Sequence, residues 1–283
     1  MFRPSRRTIT YVAALVSAIL FGGCSTLHHK QGEWIFNPSD RSWGNSAQAA
    51  ADMQDAWIEF PSKVSAAPAK LHLLISAAEK KDAPILLYLH GARWNVFGSS
   101  FRINRMRDLG FTVVAVDYRG FGKSTSETPA EDKAYEDAEQ AWKWIAQRYP
   151  DRPRYIFGHS LGGAIAIELA SRVTDEKGTL VEGTFTSVPE VFKTMKWGWL
   201  PVGWLITQRF DSQKKVREIG SPLLVVHGTE DRVIPLELGR KLYDSAAQPK
   251  RFVSVEGGSH HNTNSIGQSQ YREALKAMFG HRG

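Results

Sequence analysis

The sequence lacks the features that mark several common binding sites. Its single cysteine, Cys24, excludes an intramolecular disulfide and any zinc or iron–sulfur site built only from cysteines. It has no His-Glu-x-x-His motif, and Gly120–Ser124 is not a phosphate-binding loop, because Asp117 stands where that loop requires its first glycine. The adjacent histidines His28 and His29 lie in a polar segment outside any such pattern. The sequence therefore predicts no metal site and no cofactor.

A strong excess of one charge is also missing. The chain has 36 Lys and Arg against 29 Asp and Glu, a net charge of +7. Three of the arginines belong to the first seven residues, and without them 33 basic residues face 29 acidic ones, an excess of +4. This balance is too mild to indicate a nucleic-acid partner. Apolar residues make up 42% of the chain, which excludes a wholly disordered protein and provides for a large core.

The first 24 residues have the layout of a secretory signal. A basic start with Arg6 and Arg7 precedes an apolar stretch, Tyr11–Phe21, and two glycines follow before Cys24. Extended to the second glycine, the apolar stretch has about 13 residues, or roughly 20 Å as a helix, whereas a bilayer core is about 30 Å thick. We therefore predict a signal peptide over residues 1–23 rather than a transmembrane helix.

The end of this signal resembles the bacterial lipoprotein cleavage box. In Leu20-Phe21-Gly22-Gly23-Cys24 a thiol follows a small residue, with Phe21 where that pattern prefers leucine. The resemblance implies that Cys24 is acylated, as with palmitate, and anchors the protein to a membrane, and Ser25 is compatible with the periplasmic face of the outer membrane. Two alternatives stay open. Cys24 would otherwise be a small buried apolar residue, and Ser5-Arg6-Arg7 hints at export by the twin-arginine rather than the Sec route.

The rest of the chain alternates between strand-like and helical segments. Residues 24–50 show no apolar period and predict a lipidated tether with an irregular arm, followed by one α/β domain over residues 51–283. Ile85–Leu89 and Leu223–Val226 are apolar on both faces, which is typical of strands covered on both sides. The alternation predicts a mostly parallel, eight-stranded sheet with helices on both faces. The predicted strands are Ala56–Phe60, Leu71–Ile75, Ile85–Leu89, Thr112–Val116, Tyr155–Phe157, Val181–Phe185, Leu223–Val226 and Arg251–Val255.

A candidate nucleophile stands between a predicted strand and a predicted helix. Tyr155–Phe157 runs into Gly158-His159-Ser160-Leu161-Gly162, and an Ala/Ile/Leu helix follows. In a strand–turn–helix of this kind the serine occupies a strained turn, and glycines flank it because side chains there would collide with neighbouring backbone. The alternative is that Ser160 is an ordinary helix N-cap.

A serine hydroxyl needs a base and an orienting carboxylate before it attacks a carbonyl. Asp231 follows the strand Leu223–Val226, and His260 follows the strand Arg251–Val255. The carboxyl ends of parallel strands meet at one edge of a sheet, so both should approach Ser160. Their neighbours Glu230 and His261 remain alternatives for the same two roles. Three other histidines are interpreted as structural, namely His90, His159 and His227.

The same chemistry requires two backbone N–H donors for the oxyanion of the tetrahedral intermediate. Leu161, directly after Ser160, is the first predicted donor. The second should come from the loop after the strand Ile85–Leu89, where Ala92 is our first choice and Arg93 our second.

A tryptophan-rich segment, residues 188–221, interrupts the alternation of strands and helices. One interpretation is a small helical cap that buries these rings in its own packing. The other is an apolar cover over an acyl pocket, or a patch that faces a membrane. On the pocket interpretation, Trp197, Trp199 and Trp204 would line the substrate pocket together with Trp94 of the oxyanion loop.

These segments, together with Asp117–Ser124, resemble the α/β-hydrolase superfamily, and within it the serine-aminopeptidase-like branch of small esterases, lipases and peptidases. The resemblance covers roughly residues 71–279. It implies a serine hydrolase that cleaves an ester, or else a thioester or amide, of an apolar acyl or aryl substrate through an acyl-enzyme. An aspartate at position 160 would have indicated a dehalogenase or epoxide hydrolase. The alternative is a lipid-anchored, non-catalytic binding protein on the same fold, and the sequence does not specify an oligomeric state.

Overall fold

A single eight-stranded sheet organises the part of the chain that the structure, a computed structural model, describes, namely residues 26–39 and 45–281. Its strands are β1 Gln54–Phe60, β2 Ala69–Ser76, β3 Ile85–Leu89, β4 Thr112–Val116, β5 Arg154–His159, β6 Gly178–Glu182, β7 Leu223–Gly228 and β8 Lys250–Val255. They lie in the order β1-β2-β4-β3-β5-β6-β7-β8. The β1–β2 and β2–β4 pairs are antiparallel, and the remaining pairs are parallel.

Helices cover both faces of this sheet. Alternate residues of β3 belong to different apolar clusters: Leu87 lies in a cluster with the helices Glu131–Arg148 and Leu161–Ala170, whereas Leu86 lies in a cluster with the helices Ser100–Arg107 and Gln268–Phe279. Because strand side chains alternate between faces, the two clusters are the two helix–sheet layers, and the predicted architecture is confirmed. The helices are α1 (residues 26–36), α2 Ser46–Ala49, α3 Ser100–Arg107, α4 Glu131–Arg148, α5 Leu161–Ala170, α6 Val188–Thr194, α7 Ser212–Lys215, α8 Leu236–Ser245, α9 Thr263–Ile266 and α10 Gln268–Phe279.

Strand β6 begins and ends three residues earlier than the apolar pattern predicts. Gly183 has a φ of +57°, which ends the strand, while Thr179 and Glu182 lie fully buried inside it. Glu182 is tolerated there because the Arg102 guanidinium and the Tyr271 hydroxyl both donate hydrogen bonds to its carboxylate. A strand that contains a buried carboxylate compensated by partners distant in sequence cannot be recognised from apolar periodicity alone.

The N-terminal arm, predicted as an irregular tether, packs onto the domain in its described part. Residues 26–36 are helical, and Gln31 donates from its side chain to the carbonyl of Leu205 at 2.7 Å. Phe36 is fully buried, with its ring 6.1 Å from that of Phe121 and 5.7 Å from that of Phe210. No apolar period is visible in this segment because one buried phenylalanine and one buried glutamine, rather than a continuous apolar stripe, attach the arm to the domain.

The predicted signal peptide, residues 1–23, and Cys24 lie outside the described residues. Among residues 26–39 and 45–281, no helix is long and apolar enough to cross a membrane. The predicted cap, residues 188–221, forms α6, α7 and two 3-10 turns between β6 and β7.

Candidate active site

Ser160 occupies a sharp turn between β5 and α5. Its φ of 56° and ψ of −122° lie outside the regions that most residues adopt, and its side chain makes no capping hydrogen bond to α5. The turn is held by the Ser160 N–H, which donates to the Glu182 carbonyl at 2.9 Å. A Cβ atom on Gly162 would collide with the Leu89 carbonyl oxygen, so glycine is required for this close approach. Ser160 thus stands at the N-cap position of α5 but makes no side-chain capping hydrogen bond, so its hydroxyl is left for another partner.

That partner is His260. The Ser160 Oγ lies 3.0 Å from the His260 Nε2, and the His260 Nδ1 lies 2.8 Å from the Asp231 Oδ2. His260 is in the loop after β8, and Asp231 is in the loop after β7, as the sequence predicts. The structure thus brings the three side chains into one hydrogen-bonded row at the carboxyl ends of the strands.

The Asp231 carboxylate is fixed at both of its oxygens. Its Oδ1 accepts from the backbone N–H groups of Val233 at 2.9 Å and Ile234 at 2.8 Å. Burial acts to raise the pKa of Asp231, but the hydrogen bonds from His260 and the two backbone donors outweigh it, so this pKa lies below its ordinary value. An ionised Asp231 accepts the Nδ1–H of His260, which leaves the unprotonated Nε2 to face the Ser160 hydroxyl.

The two alternative residues lie beside this row rather than in it. The ring of His261 is 5.4 Å from that of His260 and 5.4 Å from that of Trp94, and the described imidazole contact to Ser160 comes from His260. Glu230 is exposed, and the described carboxylate contact to His260 comes from Asp231. The geometry favours His260 and Asp231 for the roles of base and carboxylate.

Three further histidines support the surrounding backbone. His159 Nε2 contacts the His260 carbonyl at 3.0 Å, and burial, with the positive charge of Arg102, holds the His159 pKa well below its ordinary value. A neutral His159 donates one proton to that carbonyl without placing a second cation beside the base. His90 and His227 make equivalent ring contacts to the carbonyls of Gly91 and Ile234.

The loop after β3, residues 90–95, passes close to Ser160. A Cβ atom on Gly91 would lie 3.1 Å from the Ser160 Cβ. The Arg93 N–H donates to the Phe36 carbonyl at 2.7 Å, so this donor is already engaged. In the part of the chain that the structure describes, the N–H groups of Ala92 and Leu161 have no protein acceptor. The geometry therefore favours Ala92 over Arg93 as the donor opposite Leu161.

A cavity of about 820 Å³ opens beside Ser160 and is lined by Trp94. Contrary to the sequence-based expectation, Trp197, Trp199 and Trp204 do not line it, and their side chains are 58%, 73% and 78% exposed. These rings belong to short turns of the cap that face solvent. The missing wall comes from the N-terminal arm, at residues 37–39, which the sequence pattern assigned to a tether. Within the described ranges, no cluster of His, Cys, Asp and Glu is arranged to hold a metal ion.

Comparison with known proteins finds that the chain is similar to hydrolases. Residues 80–211, which include Ser160 but end before Asp231 and His260, match the family model described as serine aminopeptidase, S33. The chain is 37% identical over 187 residues to lysophosphatidylserine lipase ABHD12 of Danio rerio, a match that covers 59% of this chain and 48% of the relative. It is 34% identical over 212 residues to protein ABHD12B of Homo sapiens, covering 66% and 58%. The matches thus span about half the length of these curated relatives.

Solved structures show the same fold at low identity. The Pyrococcus furiosus esterase Pf2001 superposes with a TM-score of 0.68 at 20% identity, over 86% of this chain and 98% of the esterase. The esterase domain of a Rhodothermus marinus protein gives 0.58 at 17%, over 80% of this chain and all of that domain. The acylaminoacyl peptidase of Pyrococcus horikoshii gives 0.61 at 14%, over 84% of this chain and 44% of the peptidase.

Proposed function

We propose that this chain is an α/β hydrolase, and specifically a serine hydrolase that cleaves a carboxylic ester through an acyl-enzyme. The observation that carries the proposal is the hydrogen-bonded row of Ser160, His260 and Asp231, with separations of 3.0 Å and 2.8 Å. Such a row makes a serine nucleophilic at neutral pH, because the base receives the hydroxyl proton as the oxygen attacks.

In the proposed first half-reaction, Ser160 Oγ attacks the ester carbonyl while its proton moves to His260 Nε2. Asp231 stabilises the imidazolium that forms, and the N–H groups of Leu161 and Ala92 donate to the oxyanion. A donor of this kind contributes about 3–4 kcal/mol to the transition state in other hydrolases. His260 then protonates the leaving alcohol, and the acyl group remains on Ser160.

In the second half-reaction, water replaces the alcohol. His260 removes a proton from this water, the resulting hydroxide attacks the acyl carbonyl, and the same two N–H groups stabilise the second oxyanion. Collapse of the intermediate returns the proton to Ser160 Oγ and releases the carboxylic acid. No step needs a group that the chain does not provide.

We favour an ester with an apolar acyl or aryl group as the substrate. The cavity volume of about 820 Å³ lies in the usual range for small-molecule sites, and Trp94 and Val233 give it an apolar surface. The named relatives and structural neighbours include a lipase and esterases. An amide substrate remains the second candidate, because the matched family model is that of a serine aminopeptidase.

The proposal is tested by labelling the intact protein with a fluorophosphonate, which reacts with activated serines. We expect one adduct per molecule, located on Ser160 by peptide mass spectrometry. The adduct should be absent after heat unfolding, because unfolding separates Ser160 from His260. Folded protein that gains no adduct, and hydrolyses no aryl ester, would support the non-catalytic binding protein instead.

We also propose that acylated Cys24 holds the protein at a membrane, with the cap facing the lipid. The described chain begins in α1, two residues after Cys24, and α1 contacts the cap through Gln31 and Leu205. The exposed rings of Trp199 and Trp204 lie in the same cap, and tryptophan favours the membrane–water interface. This arrangement would place an anchored N-terminus and an aromatic surface close together.

For the anchor, we expect Cys24→Ser protein to move from the membrane to the soluble fraction of lysed cells. The change removes the thiol that would carry the acyl chains, which leaves only the exposed rings of the cap to contact lipid. The measurement is immunoblotting of both fractions, with the parent protein as the control. Variant protein that has lost its signal peptide and still sediments with membranes would contradict lipidation.

A further inference from the structure

The wall of the cavity beside Ser160 offers positive charge. Its lining includes Arg93 and Arg102, and among the described residues that line it there is no aspartate or glutamate. A wall with cationic donors and no carboxylates favours an anionic ligand. On the premise that the proposed esterase function is correct, we infer that Arg93 binds an anionic group, a phosphate or a carboxylate, carried by the ester substrate.

The two arginines differ in what already binds them. The Arg102 side chain is buried, its Nε donates to Glu182 at 3.1 Å, and its Nη2 donates to the His261 carbonyl at 3.3 Å. Glu182 therefore compensates the charge of Arg102. The Arg102 side chain forms part of the cavity wall and links β6 to the loop after β8. A ligand would have to compete with a buried carboxylate for this guanidinium.

Arg93 has no such compensation. Its side chain is exposed, and no carboxylate of residues 26–39 or 45–281 lies within salt-bridge distance of its guanidinium. It immediately follows Ala92, so an anion that it binds lies close to the carbonyl under attack. A guanidinium presents paired N–H groups that match the oxygens of a phosphate or carboxylate.

The backbone of Arg93 is held rigidly in place. Its N–H donates to the Phe36 carbonyl and its C=O accepts from the Ser39 N–H, both at 2.7 Å. Its φ of +79° is costly for a residue with a side chain, by about 1–3 kcal/mol, and glycine would avoid that cost. An arginine at this position keeps a cation at the cavity. Because its backbone is already fixed, it loses less conformational entropy when a ligand binds.

The test compares three butyrate esters of similar size: neutral 1-butyrylglycerol, its 3-phosphate, and the butyrate ester of lactate, which carries a carboxylate. We expect the parent protein to have a higher kcat/KM for at least one anionic ester than for the neutral one. Arg93→Gln should lower kcat/KM for that ester roughly three- to tenfold and lower kcat/KM for the neutral ester much less. The anionic ester with the larger loss identifies the preferred group.

Two control variants separate charge from structure. Arg93→Lys keeps the charge and should retain part of the preference, whereas Arg217→Gln, which removes an exposed arginine outside the cavity lining, should change none of the three values. The preference should also shrink as ionic strength rises, because salt screens an exposed charge. An equal effect of Arg93→Gln on neutral and anionic esters would overturn the inference while leaving the esterase function intact.

A binding measurement keeps the inference testable without turnover. Ser160→Ala protein is titrated calorimetrically with butyl phosphate and with butyrate, and the titration is repeated after Arg93→Gln is added. We expect the double variant to bind one of these anions more weakly than Ser160→Ala protein does, by a factor similar to the loss in kcat/KM for the anionic ester. Identical affinities in the two proteins would reject Arg93 as the anion site, whatever the esterase assay gives.

Discussion

Ser160→Ala is expected to lower kcat for ester hydrolysis by about 10⁴-fold or more. The substitution removes the atom that forms the acyl-enzyme, and what remains is the oxyanion donors and substrate binding. The fold should be unaffected, because the turn at Ser160 is held by its backbone N–H and C=O groups, which alanine keeps. Loss of kcat with an unchanged unfolding midpoint would therefore report chemistry rather than stability.

The matched control is Ser254→Ala, which removes an exposed hydroxyl from β8 and should leave kcat within about twofold of the parent. A double variant, Ser160→Ala with His260→Ala, should be little slower than Ser160→Ala alone, because the side chains act as one unit. Both predictions are checked by measuring the initial rates at which the variants hydrolyse an aryl ester. A Ser160→Ala protein that keeps more than about a tenth of the activity would point to a different nucleophile.

Asp231→Asn is expected to lower kcat by about 10⁴-fold, the size of effect seen for the equivalent change in a serine protease. The asparagine oxygen can still accept from Val233 and Ile234, so the loop after β7 should keep its shape. Its amide nitrogen would then face His260 Nδ1 as a donor. This favours the tautomer with the proton on Nε2, which donates to Ser160 Oγ instead of removing its proton.

Glu230→Gln is the control for this prediction, because it makes the same chemical change one residue earlier on an exposed side chain. We expect it to leave kcat within about twofold of the parent. Steady-state rates over a range of pH, together with unfolding midpoints, distinguish the two variants. A larger loss for Glu230→Gln than for Asp231→Asn would assign the carboxylate role to Glu230.

The sequence indicates where the candidate residues lie because each of them follows an apolar strand. β3 and β4 have the predicted bounds, and the loops after β5, β7 and β8 carry Ser160, Asp231 and His260 to one edge of the sheet. These placements depend on local features, namely apolar runs and glycines beside a tight turn. In any fold whose strands are parallel and adjacent, such features place the residues that follow the strands at one edge of the sheet.

The walls of the cavity could not be predicted in the same way. The tryptophans of the cap indicate an apolar surface but not which side of the molecule it faces, and the structure turns Trp199 and Trp204 to solvent. Residues 37–39 line the cavity through contacts with a loop more than 50 positions later in the chain. Such a contact leaves no repeating pattern of apolar residues in the sequence, because it depends on one buried ring, Phe36, and on backbone hydrogen bonds.

The contact between Phe36 and Arg93 makes the N-terminal arm part of the catalytic unit. The arm leads from the proposed anchor at Cys24 to the loop that contains the proposed oxyanion donor Ala92, and the Phe36 carbonyl accepts a hydrogen bond from the Arg93 N–H of that loop. A truncated protein that begins after Ser39 would therefore lose one wall of the cavity beside Ser160 as well as the proposed membrane anchor.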